Sequence, residues 1–326
     1  MCTAATFAAQ DFYMGRTLDY ERSYGEQVVV TPRNFPLPFR HGGTLTQHYA
    51  LIGTACVADG YPLYYDAVNE KGLGMAGLNF VGNACYGEPA EGRQNVAQFE
   101  FLPWLLAQCA TLDEARAALR RMQLVGTPFS ASYPAAQMHW MIADRSGCIV
   151  VEAMEDGLHV YDNPAGVLTN NPPFLQQLFR LNDYQALSPR QPKNCFSDKL
   201  DLRCYSRGMG ALGLPGDLSS ASRFVRAAFV RAHLLPGKTE AENVGQMFHL
   251  LGAVEQQKGC CEVRDGEFEY TIYTSCWNAQ KGIYYYTTYD NRQIIGVDLH
   301  RAHPNGNELH CYPMRTAPSI RMESEA

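Results

Sequence analysis

Residue 2 is a cysteine that directly follows the initiator methionine. Methionine aminopeptidases remove Met1 when a small residue comes next, and cysteine is small. Removal leaves a thiol and a free α-amine on one residue. An α-amine titrates at about 7.7–8.0, so it can act as a base near neutral pH. A thiol beside such a base is an activated nucleophile. The segment Met14-Gly-Arg-Thr-Leu-Asp19 places Arg16 and Asp19 three residues apart after a strand-like start. An arginine near a thiolate stabilises it by direct attraction, and an aspartate can orient or hydrogen-bond the amine. Taken singly, these features are ordinary. Many chains carry Cys at position 2, and an Arg-x-x-Asp pair also reads as a solvated ion pair on a turn.

The elements that must position these groups are legible in outline. Strand-like runs cover 28–31, 50–57, 63–68 and 74–80, the last two separated by the turn Asn69-Glu-Lys-Gly72. An apolar stretch over 99–109 suits a buried helix if Pro103 sits in its first turn. Thr111-Leu-Asp-Glu114 reads as a capping box opening a helix to about 121. Strands return over 138–143 and 148–153, joined by Asp144-Arg-Ser-Gly147, a hairpin signature. A helix over 222–233 follows, and a second capping box, Thr239-Glu-Ala-Glu242, leads into 246–254. The runs 268–274, 282–289 and 293–299 are β again, and 319–326 reads as a polar tail. Strands, then helices, then strands fit an α+β layered fold with largely antiparallel sheets.

Composition narrows the function. Hydrophobic residues make up 46% and charged residues 18%, a globular balance. The formal net charge of -6 disfavours nucleic acid as a partner. The longest stretch without Lys, Arg, Asp or Glu, 122–143, is interrupted by Gly126, Pro128 and Pro134, so no membrane span is expected. The N-terminus has no basic region ahead of an apolar core, so a cytoplasmic protein is expected. The eleven cysteines include no C-x-x-C pair. They are expected to be reduced, about nine or ten of them as buried small hydrophobes, with no metal site.

The order of several motifs adds a resemblance. Met1-Cys2-Thr3, Gly15-Arg-Thr-Leu-Asp-Tyr20, Asp66-Ala-Val-Asn-Glu-Lys-Gly-Leu-Gly-Met-Ala-Gly-Leu-Asn79 and Tyr86-Gly-Glu-Pro-Ala-Glu91 come first. Val167-Leu-Thr-Asn-Asn-Pro172, Ser219-Ser-Ala-Ser-Arg-Phe224, Glu269-Tyr-Thr-Ile-Tyr-Thr-Ser275 and Gly282-Ile-Tyr-Tyr-Tyr-Thr-Thr-Tyr-Asp-Asn291 follow. In this order, over nearly the whole chain, they resemble the choloylglycine hydrolase family, and within it the bile salt hydrolases.

The resemblance implies a single N-terminal-nucleophile hydrolase domain over 1–326, an α+β fold of the αββα sandwich type with two largely antiparallel sheets between helix layers. It implies that Cys2 is nucleophile and, through its amine, base. Arg16 and Asp19 match the pair that supports the nucleophile. Asn79 and Asn170 match oxyanion-hole positions, and Arg223 matches a second active-site arginine. Asn171 adjoins Asn170, but the alignment of Thr-Asn-Asn-Pro favours Asn170. An amide side chain that donates to a tetrahedral oxyanion suits amide hydrolysis.

The implied substrate is a small molecule, a glycine- or taurine-conjugated bile salt, with no cofactor. Its steroid body needs an apolar cleft, for which Tyr24, Tyr64, Tyr65, Phe129, Tyr133 and Phe268 are candidate walls. The alternative within the family is a penicillin V acylase or related N-acyl amidase. Asn at position 79, where that branch tends toward Tyr, tilts toward bile salts. A non-catalytic bile-acid binder is the reading from another class, and it has no use for the nucleophile set. The family also implies a homotetramer.

Overall fold

A computed structural model describes residues 1–324. Two antiparallel sheets form its centre. The six-stranded sheet runs in the order Val167–Leu168, Cys2–Ala8, Phe12–Tyr20, Tyr270–Asn278, Ile283–Thr288, Ile295–Asp298. The eight-stranded sheet runs Gly157–Asp162, Gly147–Met154, Met138–Asp144, Gly74–Asn79, Tyr61–Asn69, Leu51–Ala58, Gln27–Thr31, His310–Pro313.

Side chains alternate across each strand, so one strand feeds two cores. On the Met138–Asp144 strand, Met141 and Ala143 join the core between the sheets, where Val28, Ile52, Leu18 and Trp277 also lie. Trp140 and Ile142 face the other way, under the helices Phe101–Gln108 and Leu112–Leu119. The helices Ser220–His233 and Glu240–Gly252 cover the outer face of the six-stranded sheet through Phe224, Val244, Met247 and Leu251. The layers are therefore α, β, β, α, as the motifs implied.

Helix starts follow the capping residues. Thr239 and Glu242 form the full reciprocal box. Thr111 accepts from the Glu114 N–H, but the Glu114 carboxylate reaches past the cap to the N–H of Ala110, so that box is only half closed. Pro103 lies in the first turn of Phe101–Gln108, where a missing N–H does no harm. The end expected to be a polar tail is exposed as far as residue 324, with Ile320 and Met322 among its exposed side chains, and residues 325 and 326 lie outside the described residues.

The first two strands escape the usual signal. Every residue of Cys2–Ala8 and of Phe12–Tyr20 except the last is buried, so neither alternates between buried and exposed positions. They pair antiparallel with Cys2 opposite Leu18 and Ala4 opposite Arg16. Gly15 lets the second strand approach Tyr270–Asn278, since a Cβ there would collide with the Ser275 carbonyl.

Candidate active site

The register of these two strands sorts the site residues onto two faces. Cross-strand partners share a face, so Cys2 goes with Leu18 and, two residues along, with Arg16 and Tyr20. All four line one cleft. Thr17 and Asp19 point to the opposite face, toward the helix that carries Arg223. Arg16 and Asp19 are thus not an ion pair on a turn. They are fully buried on opposite faces of one strand.

On the cleft face, Arg16 is held by backbone. Its Nη1 donates to the carbonyls of Gly77 at 2.7 Å and Tyr65 at 3.2 Å, and its Nε to Thr17 at 3.2 Å. Its Nη2 is buried without a partner. The nearest carboxylate is not Asp19 but Asp66, whose Oδ2 is 4.0 Å from Nε. Asp66 is itself fully buried, and both its oxygens accept from tyrosine hydroxyls across the sheet gap, Tyr273 at 2.6 Å and Tyr284. Burial disfavours the Arg16 charge, but the acidic groups around it, Cys2 first and then the Asp66 and Asp19 carboxylates, outweigh that and hold the guanidinium charged.

On the other face, Arg223 gathers the N-terminus. Its Nη1 donates to the Cys2 carbonyl at 2.7 Å and to Thr3 Oγ1 at 2.6 Å, and its Nη2 to Asn170 Oδ1 at 2.9 Å. Asp19 Oδ2 lies 4.0 Å from Arg223 Nη1. The Asp19 carboxylate accepts from Thr271 Oγ1 at 2.6 Å and Thr17 Oγ1 at 3.2 Å.

The Cys2 nitrogen donates to Asn170 Oδ1 at 2.7 Å. Asn170 Nδ2 in turn donates to the Asn79 carbonyl at 2.8 Å. Asn170 is buried, while Asn171 is exposed and donates to Val81, so the first asparagine of the pair is the one at the nucleophile. The Asn79 side chain is aimed differently. Tyr20 donates to its Oδ1 at 2.9 Å, and burial pushes the Tyr20 hydroxyl up to about 12, so it remains a donor. The Asn79 amide N–H is thereby turned away from Tyr20.

In this chain Met1 precedes Cys2. The Met1 amine donates to the Asp19 carbonyl at 2.7 Å and pairs with Glu269. Burial lowers its pKa, against the charges of Cys2 and Asp19.

A cleft of about 600 Å³ opens over Cys2, Arg16 and Asn79. Its walls are aromatic: Phe129 packs edge-on against Phe99 at 5.3 Å and Tyr133 at 6.0 Å, and Tyr20 against Tyr24 at 5.6 Å.

The sequence profile of linear amide C–N hydrolases, choloylglycine hydrolase family, matches residues 2–312. The chain belongs to the choloylglycine hydrolase family. It is 53% identical to a bile salt hydrolase/transferase of Lactiplantibacillus plantarum, over 97% of this chain and 98% of that one. A solved structure of the C2A mutant of the conjugated bile acid hydrolase from Clostridium perfringens is similar throughout, with a TM-score of 0.93 at 36% identity, covering 99% of this chain and all of that one. Penicillin V acylase from Agrobacterium tumefaciens shares the fold, at a TM-score of 0.75 and 16% identity over 98% of this chain and all of that one.

Within this family member, five of the expected cleft walls are in place: Tyr24, Tyr64, Tyr65, Phe129 and Tyr133. Phe268 is not among them. It sits on a short hairpin strand, Glu267–Phe268, paired with Glu262–Arg264, away from the cleft lining. A β-propensity run over 268–274 gave no sign that its first residue belongs to a separate hairpin. Sequence reading also missed Tyr20, Phe99, Met138 and Trp140 as lining residues, and Asp66 as the partner of Arg16. Tyr20 and Asp66 lay inside the matched motifs, which was the available signal. Among the described residues no group of three or more His, Cys, Asp or Glu side chains is placed to hold a metal ion, and no helix is long and apolar enough to cross a membrane.

Proposed function

We propose that this protein hydrolyses the amide bond of glycine- or taurine-conjugated bile salts, with Cys2 as nucleophile and the Cys2 α-amine as base once Met1 is gone. The observation that carries the reading is the 2.7 Å hydrogen bond from the Cys2 nitrogen to Asn170 Oδ1, made at the edge of an aromatic cleft. That nitrogen becomes the amine when Met1 leaves. Burial already lowers the pKa of the Met1 amine. Cys2 is 1% exposed, and desolvation of an amine there favours the neutral, basic form.

The amine takes the thiol proton as sulfur attacks the substrate carbonyl. The resulting oxyanion is met by the Asn79 amide N–H, which Tyr20 has aimed. Collapse expels the amine of glycine or taurine, protonated by the Cys2 ammonium. The bile acyl thioester is then attacked by water, with the amine again as base, and free bile acid leaves. Arg16, with Nη2 uncommitted, offsets negative charge at the sulfur. Asn170, matched by motif to an oxyanion position, commits one amide N–H to the Asn79 carbonyl and keeps the second for the oxyanion, while its Oδ1 anchors the amine. Arg223 and Asp19 fix that anchor from behind.

The cleft suits a steroid body, and the relatives named for bile salts support that substrate over penicillin V. The same proposal includes one domain, a homotetramer and residence in the cytoplasm. Light scattering of the purified protein checks the assembly. The functional test is release of glycine from glycocholate and taurine from taurocholate, beside penicillin V cleavage. Faster turnover of a bile salt is expected. Turnover of penicillin V alone, or of none, overturns the reading.

A further inference from the structure

The proposed mechanism does not use one fully buried histidine near the site. His139 and Glu152 are completely inaccessible and lie on adjacent strands, Met138–Asp144 and Gly147–Met154. His139 Nδ1 is 3.0 Å from Glu152 Oε1, and its Nε2 is 2.7 Å from the Thr169 carbonyl oxygen. The ring stacks on Phe80 at 4.4 Å, with 5° between planes. Glu152 Oε1 also accepts from the Phe174 N–H at 3.0 Å, and Oε2 has no partner.

Both ring nitrogens face oxygen atoms. A carbonyl can only accept, so Nε2 must carry a proton. A second proton must lie in the Nδ1 to Oε1 contact, on the nitrogen or on the oxygen. Either way the Thr169 carbonyl requires the far nitrogen to be the donor, and Glu152 satisfies the near one in that form, as a carboxylate to a charged ring or as an acid to a neutral one.

That far bond ends on a specific peptide group. The Thr169 carbonyl belongs to the peptide bond that leads into Asn170. The N–H of the same peptide bond donates to Ser220 Oγ at 2.8 Å. The peptide carrying Asn170 is therefore gripped at both ends, and Asn170 Oδ1 receives the Cys2 nitrogen.

We propose that His139 and Glu152 are positioning residues for Cys2: Glu152 holds His139 in the form that grips Thr169, and that grip sets where Asn170 holds the Cys2 nitrogen. This rests on the reading of that nitrogen as the catalytic amine.

The test uses the full chain with Met1 removed, confirmed by intact mass. A Gln at 152 can serve the Phe174 N–H or the required ring form, but not both, so E152Q loses a buried hydrogen bond. Expected in E152Q is a fall of about tenfold or more in kcat on glycocholate and in the rate of Cys2 alkylation by iodoacetamide. KM should stay within about threefold, because neither residue lines the cleft. Combined with N170A, E152Q should add nothing further, since both act on one contact.

Two further arms keep the proposal open to failure if E152Q does not fold. H139Q, which keeps a donor toward Thr169, should alkylate about tenfold faster than H139L, which has none. Nitrogen NMR of the wild-type imidazole should find Nε2 protonated at neutral pH. Wild-type alkylation in E152Q, additive costs with N170A, equal rates in H139Q and H139L, or a bare Nε2 would each overturn the proposal. Alkylation needs no amide substrate. If the processed wild type leaves glycocholate intact, the functional reading fails while the alkylation rates still judge the pair.

Discussion

The Cys2 nitrogen and the Asn170 side chain, 168 residues apart, meet in a 2.7 Å hydrogen bond. The strand pairing of Cys2 with Leu18 fixes one partner, and the Thr169–Asn170 peptide, held by His139 and Ser220, fixes the other.

Asn170→Ala removes the acceptor for that nitrogen and also leaves Arg223 Nη2 without its partner. A loss of about 10²-fold or more in kcat is expected, within the usual worth of a positioned base. Steady-state kinetics on glycocholate check this, and an unchanged kcat would remove Asn170 from the mechanism.

Asn79 and Tyr20 form a donor and its support. Asn79→Ala should lose about 10²–10³ in kcat, the usual cost of one oxyanion donor. Tyr20→Phe leaves the donor present but unaimed, and should lose about tenfold, the worth of one buried hydrogen bond. An equal loss in the two variants would mean that Tyr20 does more than aim Asn79.

The sequence made the chemistry legible where residue type alone carries it. A cysteine behind a removable methionine announces a thiol and an amine together. The hairpin 138–153 and the box at Thr239 announced themselves through turn and capping residues. Direction was not legible. Arg-x-x-Asp suggested two groups side by side, but on a strand a spacing of three sends Arg16 and Asp19 to opposite faces, and the alternation on 12–20, confined to Thr17-Leu-Asp-Tyr20, is too short to announce that strand by itself. Arg16 finds Asp66, and Asp19 finds Arg223, only after the sheets pack. Asn170 was expected as a donor, and the packing adds a use that its type did not announce: its oxygen receives the Cys2 nitrogen and Arg223.

Asp66 predicts a pH dependence of stability. Burial raises its carboxyl above the ordinary value of 3.8, against the opposing pull of Arg16 and the Tyr273 and Tyr284 hydroxyls. The folded chain then holds that proton more tightly than the unfolded one. Its contribution is fully present below 3.8 and is lost as pH rises through the folded value. Denaturant unfolding of wild type and Asp66→Asn across this range should show the wild-type advantage shrinking as pH rises. A flat or growing difference contradicts the raised value.

The cleft makes a paired prediction. Phe129→Ala strips an aromatic wall and should raise KM for glycocholate by about tenfold, as expected for losing roughly 1.5–3 kcal/mol of apolar contact. Phe268→Ala, on its separate hairpin, should leave kcat/KM within about twofold, as surface changes away from a site usually do. A large KM effect at Phe268 would place the substrate elsewhere.

Processing of Met1 tests the central claim most directly. If the Cys2 amine is the base, a chain that keeps Met1 has only an amide nitrogen at that point, already spent on Asn170. Preparations with graded Met1 retention should be made, the processed fraction read by intact mass, and glycocholate hydrolysis measured on the same samples. Activity should scale with the fraction lacking Met1. The fully retained form should remain folded yet fall by about 10²–10⁴-fold, the range for a lost general base. A Met1-retaining sample that hydrolyses glycocholate at the processed rate would contradict the account.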